Sequence, residues 1–242
     1  MLTRPPRLVI FDKDGTLIDF QRMWGYWAGA FAERISQQIA VDVRHDVLHL
    51  YGVDPHSLRI DPQGALSISP MATMQQMVVR HIMPYCSDMA QAYQIVQQAW
   101  QPPDPTMNVH PLADLPLLFG QLRQLGVLIA VATADNRQPT VATLTHLGVG
   151  QHVAAFACAD DPDMPPKPAP DKIWAVCQML DVHPHDAIMI GDTPADMQMG
   201  RNAGVMAQIG VTSGVSTADE LQPWASWVMA TIADVWHYWP RQ

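Results

Sequence analysis

Lysine is scarce in this chain: Lys13, Lys167 and Lys172 are the only three in 242 residues. No basic run exists, and the formal charge is -9 at pH 7. Nothing supplies the counterion release that drives binding to a phosphate backbone, so a nucleic-acid partner is excluded. Cysteine is equally sparse. Cys86, Cys158 and Cys177 are odd in number and widely spaced, matching neither a disulfide framework nor paired metal ligands. They read as buried or indifferent thiols in a reducing compartment. Long apolar runs are also missing. The stretch Arg4-Pro5-Pro6-Arg7 leads into only four apolar residues, too short for a signal-peptide core or a membrane span. A cytoplasmic protein is expected, monomer or homodimer. Low-complexity segments are absent, and with 48% apolar and 15% charged residues a globular chain with a sizeable core follows.

What is present is a set of short, nearly unbroken apolar runs: Leu8 to Phe11, Val127 to Ala132, Ala155 to Ala159 and Ala187 to Ile190, with further runs at Val205 to Val211 and Trp227 to Ala230. Such runs suit strands buried on both faces. Helix-period patterns at about 112 to 125, 139 to 147, 170 to 180 and 194 to 203 separate them, as in a parallel α/β sheet. Gly126 and Gly204 stand as helix stop signals, and Pro139, Pro170 and Pro194 as first-turn residues.

Residues 20 to 108 break the alternation. Four helix-period stripes occur there: Trp24, Trp27, Phe31 and Ile35; Val43, Val47 and Leu50; Met71, Met74 and Val78; and Met89, Tyr93, Val96 and Trp100. They predict a small helical bundle inserted after the first strand, with ordinary core packing for the Met, Trp and Tyr side chains. Pro102, Pro103, Pro105 and Pro111 mark a stiff exit back into the α/β domain, which is assigned residues 1–19 and 109–242.

The acids sit where strands end. Phe11-Asp12-Lys13-Asp14-Gly15-Thr16 follows the first run directly. In an extended chain Asp12 and Asp14 share a face about 7 Å apart, at the carboxyl end where open α/β sheets bind ligands. Two close carboxylates repel unless a cation neutralises them or one keeps its proton. Either condition suits a nucleophilic carboxylate with a proton-handling partner. The second strand ends at Thr133, whose hydroxyl can donate to a phosphoryl oxygen. Lys167 lies in Pro165-Pro166-Lys167-Pro168, its backbone restricted by proline, and is the candidate phosphate clamp; Lys172, in a predicted first helical turn, reads as solvated. The fourth strand ends in Gly191-Asp192-Thr193-Pro194-Ala195-Asp196. There Asp192 can ligate a hard cation and Asp196 can orient a neighbouring group or compensate a helix N-terminus.

With Asp12-Lys13-Asp14-Gly15-Thr16, Thr133, Lys167 and Gly191-Asp192 with Asp196 in this order, the sequence resembles the haloacid dehalogenase superfamily over nearly its whole length. The resemblance implies a Rossmann-like core with a helical cap at 20–108 that closes over the site and selects substrate. It also implies a Mg2+-dependent phosphatase acting on a small phosphorylated metabolite such as phosphoglycolate or a sugar phosphate. On that basis Asp12 is the nucleophile and Asp14 the general acid and base. Asp12, Asp192 and the backbone carbonyl of Asp14 hold the metal, Thr133 and Lys167 hold phosphoryl oxygens, and Asp196 acts from behind. The chain departs from the family pattern at Lys13, where an apolar residue is commoner, and at Ala134-Asp135, where an Asn is common. Alternation points Lys13 away from the site.

Asp14 argues against a dehalogenase, because halide leaves without a proton. No lysine lies between Lys13 and Lys167, which removes the cap lysine that a phosphonate hydrolase of the family needs. A phosphomutase resembling β-phosphoglucomutase shares the core residues and stays open, as does a non-catalytic binder keeping the fold. In the insertion, Arg59 falls in the non-periodic stretch Asp54 to Pro70 and is a candidate partner for a second anionic group on the substrate. Asp160, Asp161 and Asp163 read either as a solvated loop or as a buffer for Lys167.

Overall fold

The computed structural model describes the chain except residues 1, 3, 62, 63, 70, 103 and 240–242. Six strands form one parallel sheet: β1 (Leu8–Phe11), β2 (Leu128–Ala132), β3 (Ala155–Ala157), β4 (Ala187–Gly191), β5 (Ala207–Val211) and β6 (Trp227–Met229), in the order β3-β2-β1-β4-β5-β6. Each apolar run of the sequence supplies one strand. The chain winds outward from β1 to β3 and then returns to β4 on the other side, so β1 and β4 flank the switch point of a doubly wound sheet. Register levels the strand ends there, with Phe11 opposite both Val131 and Ile190.

The chain divides into two compact units, residues 1–19 with 105–242 and residues 20–104. The second holds α1 (Phe20–Ile39), α2 (Arg44–Leu50), α3 (Ala65–Ile68), α4 (Met71–Ile82) and α5 (Met89–Ala99) around its own core. Trp27 stacks on Phe31 at 5.4 Å, and Trp100 meets Trp27 edge-on at 4.9 Å. Three residues of the expected stripes do not join this core: Met71, Met89 and Tyr93 are exposed. On α5 the buried face runs through Ala92, Ile95, Val96 and Ala99, one position round from the stripe drawn through the larger side chains. Alanine permits close helix approach, which a reading weighted toward bulk does not register. The isolated bridge between Val53 and Ile60 is the one strand-like pairing among the described residues of this unit. Pro70 and Pro103 lie outside the described residues.

In the sheet unit, α6 (Leu115–Gln124), α7 (Arg137–His146), α8 (Asp171–Met179), α9 (Pro194–Ala203) and the short α10 (Ala218–Leu221) accompany the strands. Both faces of the sheet are covered. Leu8 and Ile10 join Ile173 and Val176 of α8 and Met199 of α9, while the Phe11 ring stacks on Phe119 of α6 at 5.5 Å. Covering both faces is what makes near-continuous apolar strands stable and leaves only their ends for polar chemistry.

Candidate active site

At the carboxyl end of the switch point, Asp12 follows β1 and Asp192 follows β4. The Asp12 amide still pairs with the Ile190 carbonyl at 2.8 Å, which fixes the two chain ends side by side. Asp12, Asp192 and Asp196 are all buried, with carboxylate oxygens within 4.8 Å of one another. Lys167 Nζ reaches into this group, donating to Asp12 Oδ1 at 2.6 Å and Asp196 Oδ1 at 2.5 Å. Three buried carboxylates against one ammonium leave two negative charges in excess. That imbalance is costly in a low-dielectric setting.

Electrostatics register the cost. Burial, with Asp196 and Asp14 adding repulsion, pushes the Asp12 carboxyl up to about 7 despite the opposing pull of Lys167. Asp192 is pushed well above the usual carboxylate range by burial and by its neighbours Asp12 and Asp196. Burial opposes the charge on Lys167, but Asp12 and Asp196 outweigh it and raise its pKa. Buried oxygens from hard carboxylates, with a double negative excess, fit a divalent cation such as Mg2+.

Local structure supports each acid. Asp196 does two jobs: Oδ2 accepts from the Thr193 hydroxyl at 2.6 Å and the Thr193 amide at 3.2 Å in a capping box that starts α9, while Oδ1 meets Lys167. Asp192 is held from a segment that the sequence reading overlooked, residues 213–215 after β5. The Val215 amide donates to Asp192 Oδ2 at 2.9 Å, and Ser213 Oγ donates to the Gly15 carbonyl at 2.9 Å. A Cβ on Gly214, or on Gly15 (φ +80°), would overlap the Asp192 carboxylate. The only signal was the small-residue run Thr212-Ser213-Gly214 at the end of a strand.

Thr133 is buried beyond β2, and its Oγ1 accepts from the Asp135 amide at 3.1 Å, so its own proton remains to donate. Asp14 turns differently from Asp12. Its Oδ2 faces Lys13 Nζ at 3.1 Å, its Oδ1 is buried without a hydrogen-bond partner among the described residues, and burial raises its pKa.

Two expectations change here. Lys13 does not point away from the site: it is buried, paired with Asp14 and with Asp135 at 2.8 Å. Regular strand ends at Phe11, so two-residue alternation no longer applies at position 13. Lys172 is not solvated; it is buried and donates to the Cys158 carbonyl at 2.9 Å. Of the acids before Lys167, Asp161 meets the Arg137 guanidinium at 2.7 Å and Asp160 accepts from the Arg137 amide at 2.8 Å, while Asp160 and Asp163 are exposed, as the solvated-loop reading has it. Arg59 belongs to the helical unit, where it is exposed.

A family model described as haloacid dehalogenase-like hydrolase matches residues 6–204. The chain belongs to the haloacid dehalogenase-like hydrolase family. Among curated relatives, validoxylamine A 7'-phosphate phosphatase of Streptomyces hygroscopicus subsp. limoneus is 33% identical over 96 residues, 40% of this chain and 44% of that protein. The matched stretch spans about half the length, or less, of the curated relatives. Two solved structures share the fold of this haloacid dehalogenase-like chain. One, described as a predicted phosphoglycolate phosphatase from Haemophilus somnus 129pt, has a TM-score of 0.65 at 16% identity over 96% of this chain and 97% of the other. The other, provisionally named as a β-phosphoglucomutase from Thermotoga maritima, has a TM-score of 0.70 at 14% identity over 96% and 97%. Among the described residues no helix is long and apolar enough to cross a membrane.

Proposed function

We propose that this haloacid dehalogenase-like hydrolase is a Mg2+-dependent phosphatase that releases inorganic phosphate from a small phosphate monoester through a phosphoryl group carried on Asp12. One observation carries the reading: a buried carboxylate at a strand end, within 2.6 Å of an ammonium and beside two further buried acids. Asp12, Asp192 and the backbone carbonyl of Asp14 would hold Mg2+, which would supply neutralising charge to the phosphoryl oxygens.

The chain's own residues do the rest. An Asp12 oxygen attacks phosphorus, the ester P–O bond breaks, and the leaving oxygen takes a proton from Asp14. Asp14 then accepts a proton from water as the water oxygen attacks phosphorus; the bond to Asp12 breaks and phosphate departs. Lys167 and Thr133 hold the phosphoryl oxygens, and Asp196 keeps Lys167 in place, so most of the work is positioning and charge compensation.

The test is a panel of phosphorylated metabolites, with Mg2+ or with chelator, read by inorganic phosphate release. Mg2+-dependent release is expected. Sugar-phosphate isomerisation without release would replace the phosphatase reading with the mutase one, and inertness toward the whole panel would remove the enzyme reading.

A further inference from the structure

Of the residues at which the sequence departs from its family pattern, Lys13, Ala134 and Asp135, the two charged ones, Lys13 and Asp135, are 122 residues apart and touch each other. Lys13 Nζ lies 2.8 Å from Asp135 Oδ2 and 3.1 Å from Asp14 Oδ2. The ammonium is buried, with a side-chain exposure of 1%, and a buried ammonium without counter-charges is strongly unfavourable. Its presence therefore depends on both acids.

Each end of the link is anchored. The Lys13 carbonyl accepts from the Leu17 amide at 2.8 Å and the Ile18 amide at 3.1 Å, which fixes the turn after β1. Asp135 Oδ1 accepts from the Asn136 amide at 2.7 Å, and the Asp135 amide donates to Thr133 Oγ1 at 3.1 Å. A continuous polar chain thus runs Asp14, Lys13, Asp135, Thr133, joining the acid after β1 to the hydroxyl after β2.

We infer that Lys13, anchored by Asp135, is a positioning residue that holds the Asp14 carboxyl in the orientation from which it reaches the leaving-group oxygen. This rests on the phosphatase reading above. An apolar residue at position 13 would leave Asp14 free to rotate, whereas the Lys13–Asp135 pair holds one of its oxygens and leaves the other, Oδ1, without a protein partner. A purely structural ion triad would affect folding but not the choice between leaving groups.

The experiment compares kcat/KM, which reports on steps through leaving-group departure, for two esters: p-nitrophenyl phosphate, whose phenolate leaves without a proton, and glycerol 2-phosphate, whose alkoxide needs one. Lys13→Met is expected to lower kcat/KM for glycerol 2-phosphate by about 100-fold and for p-nitrophenyl phosphate by less than about 3-fold. Should Lys13→Met not fold, Asp135→Asn keeps the lysine, and a selective loss of about 10-fold on the alkyl ester is expected. An unchanged ratio between the esters in the folded variant, whether both rates fall together or neither falls, overturns the inference. A wild-type protein that releases phosphate from neither ester nor from any member of the metabolite panel would overturn the phosphatase reading itself, so the two failures are distinct.

Discussion

Charge at single residues sets the character of this molecule, and so does its suppression. Burial lifts the thiols of Cys158 and Cys177 to about 11. Their pKa is higher folded than unfolded, so their contribution to stability is fully present below about pH 9. It is lost between about 9 and 11, as the unfolded chain ionises first. The urea midpoint should therefore fall from pH 8.5 to pH 10.5 by an amount worth on the order of 1–2 kcal/mol per thiol. The double variant Cys158→Ala, Cys177→Ala should show a flatter decline; an unchanged slope would contradict this account. Among candidate site residues, the strand-end placement of Asp12, Thr133 and Asp192 was legible because each stands just beyond an apolar run, where a parallel sheet collects its polar ends. The directions of Lys13 and Lys172 were not. A lysine is buried only when a distant acid or carbonyl receives it, and those partners, Asp135 and the Cys158 carbonyl, are contacts that only the folded chain creates.

The strands were the most legible elements, since a run buried on both faces carries one unmistakable pattern. Helix boundaries followed where capping chemistry was explicit, as at Thr193-Pro194 and at Gly204, whose φ of 76° ends α9. Orientation on the helical unit was harder. Large side chains at the starts of α4 and α5 project into solvent, while alanines fill the contact face. Phe31 is enclosed by rings, stacked against Trp27 at 5.4 Å and Tyr51 at 5.8 Å and edge-on to Trp100 at 5.2 Å. Replacing it with alanine is expected to destabilise the helical unit by about 3–5 kcal/mol. Chemical denaturation followed by tryptophan fluorescence checks this, and a loss below about 1 kcal/mol would show that the unit repacks freely around position 31.

Across the whole molecule, sheet order and charge act together. The order β3-β2-β1-β4-β5-β6 brings the ends of β1 and β4 into one place, and the acids there are compensated by Lys167 only in part. A chain of formal charge -9 that concentrates partly compensated carboxylates at one buried point would be stabilised by a divalent cation that binds the folded state. Saturating Mg2+ should raise the thermal midpoint relative to chelator, by the equivalent of about 2.7 kcal/mol at a hundredfold excess over Kd. Gly214→Ala, whose Cβ would displace the Asp192 carboxylate, should abolish that rise. Equal midpoints with cation and chelator in the wild-type protein would contradict the cation site.

The proposed reaction requires that phosphorus be bonded to Asp12 during turnover. Acid quenching of the working enzyme, followed by peptide mass spectrometry, tests it directly. A phosphoryl adduct on Asp12 is expected in the wild-type protein, and neither adduct nor turnover in Asp12→Asn. Undiminished turnover in Asp12→Asn would contradict it.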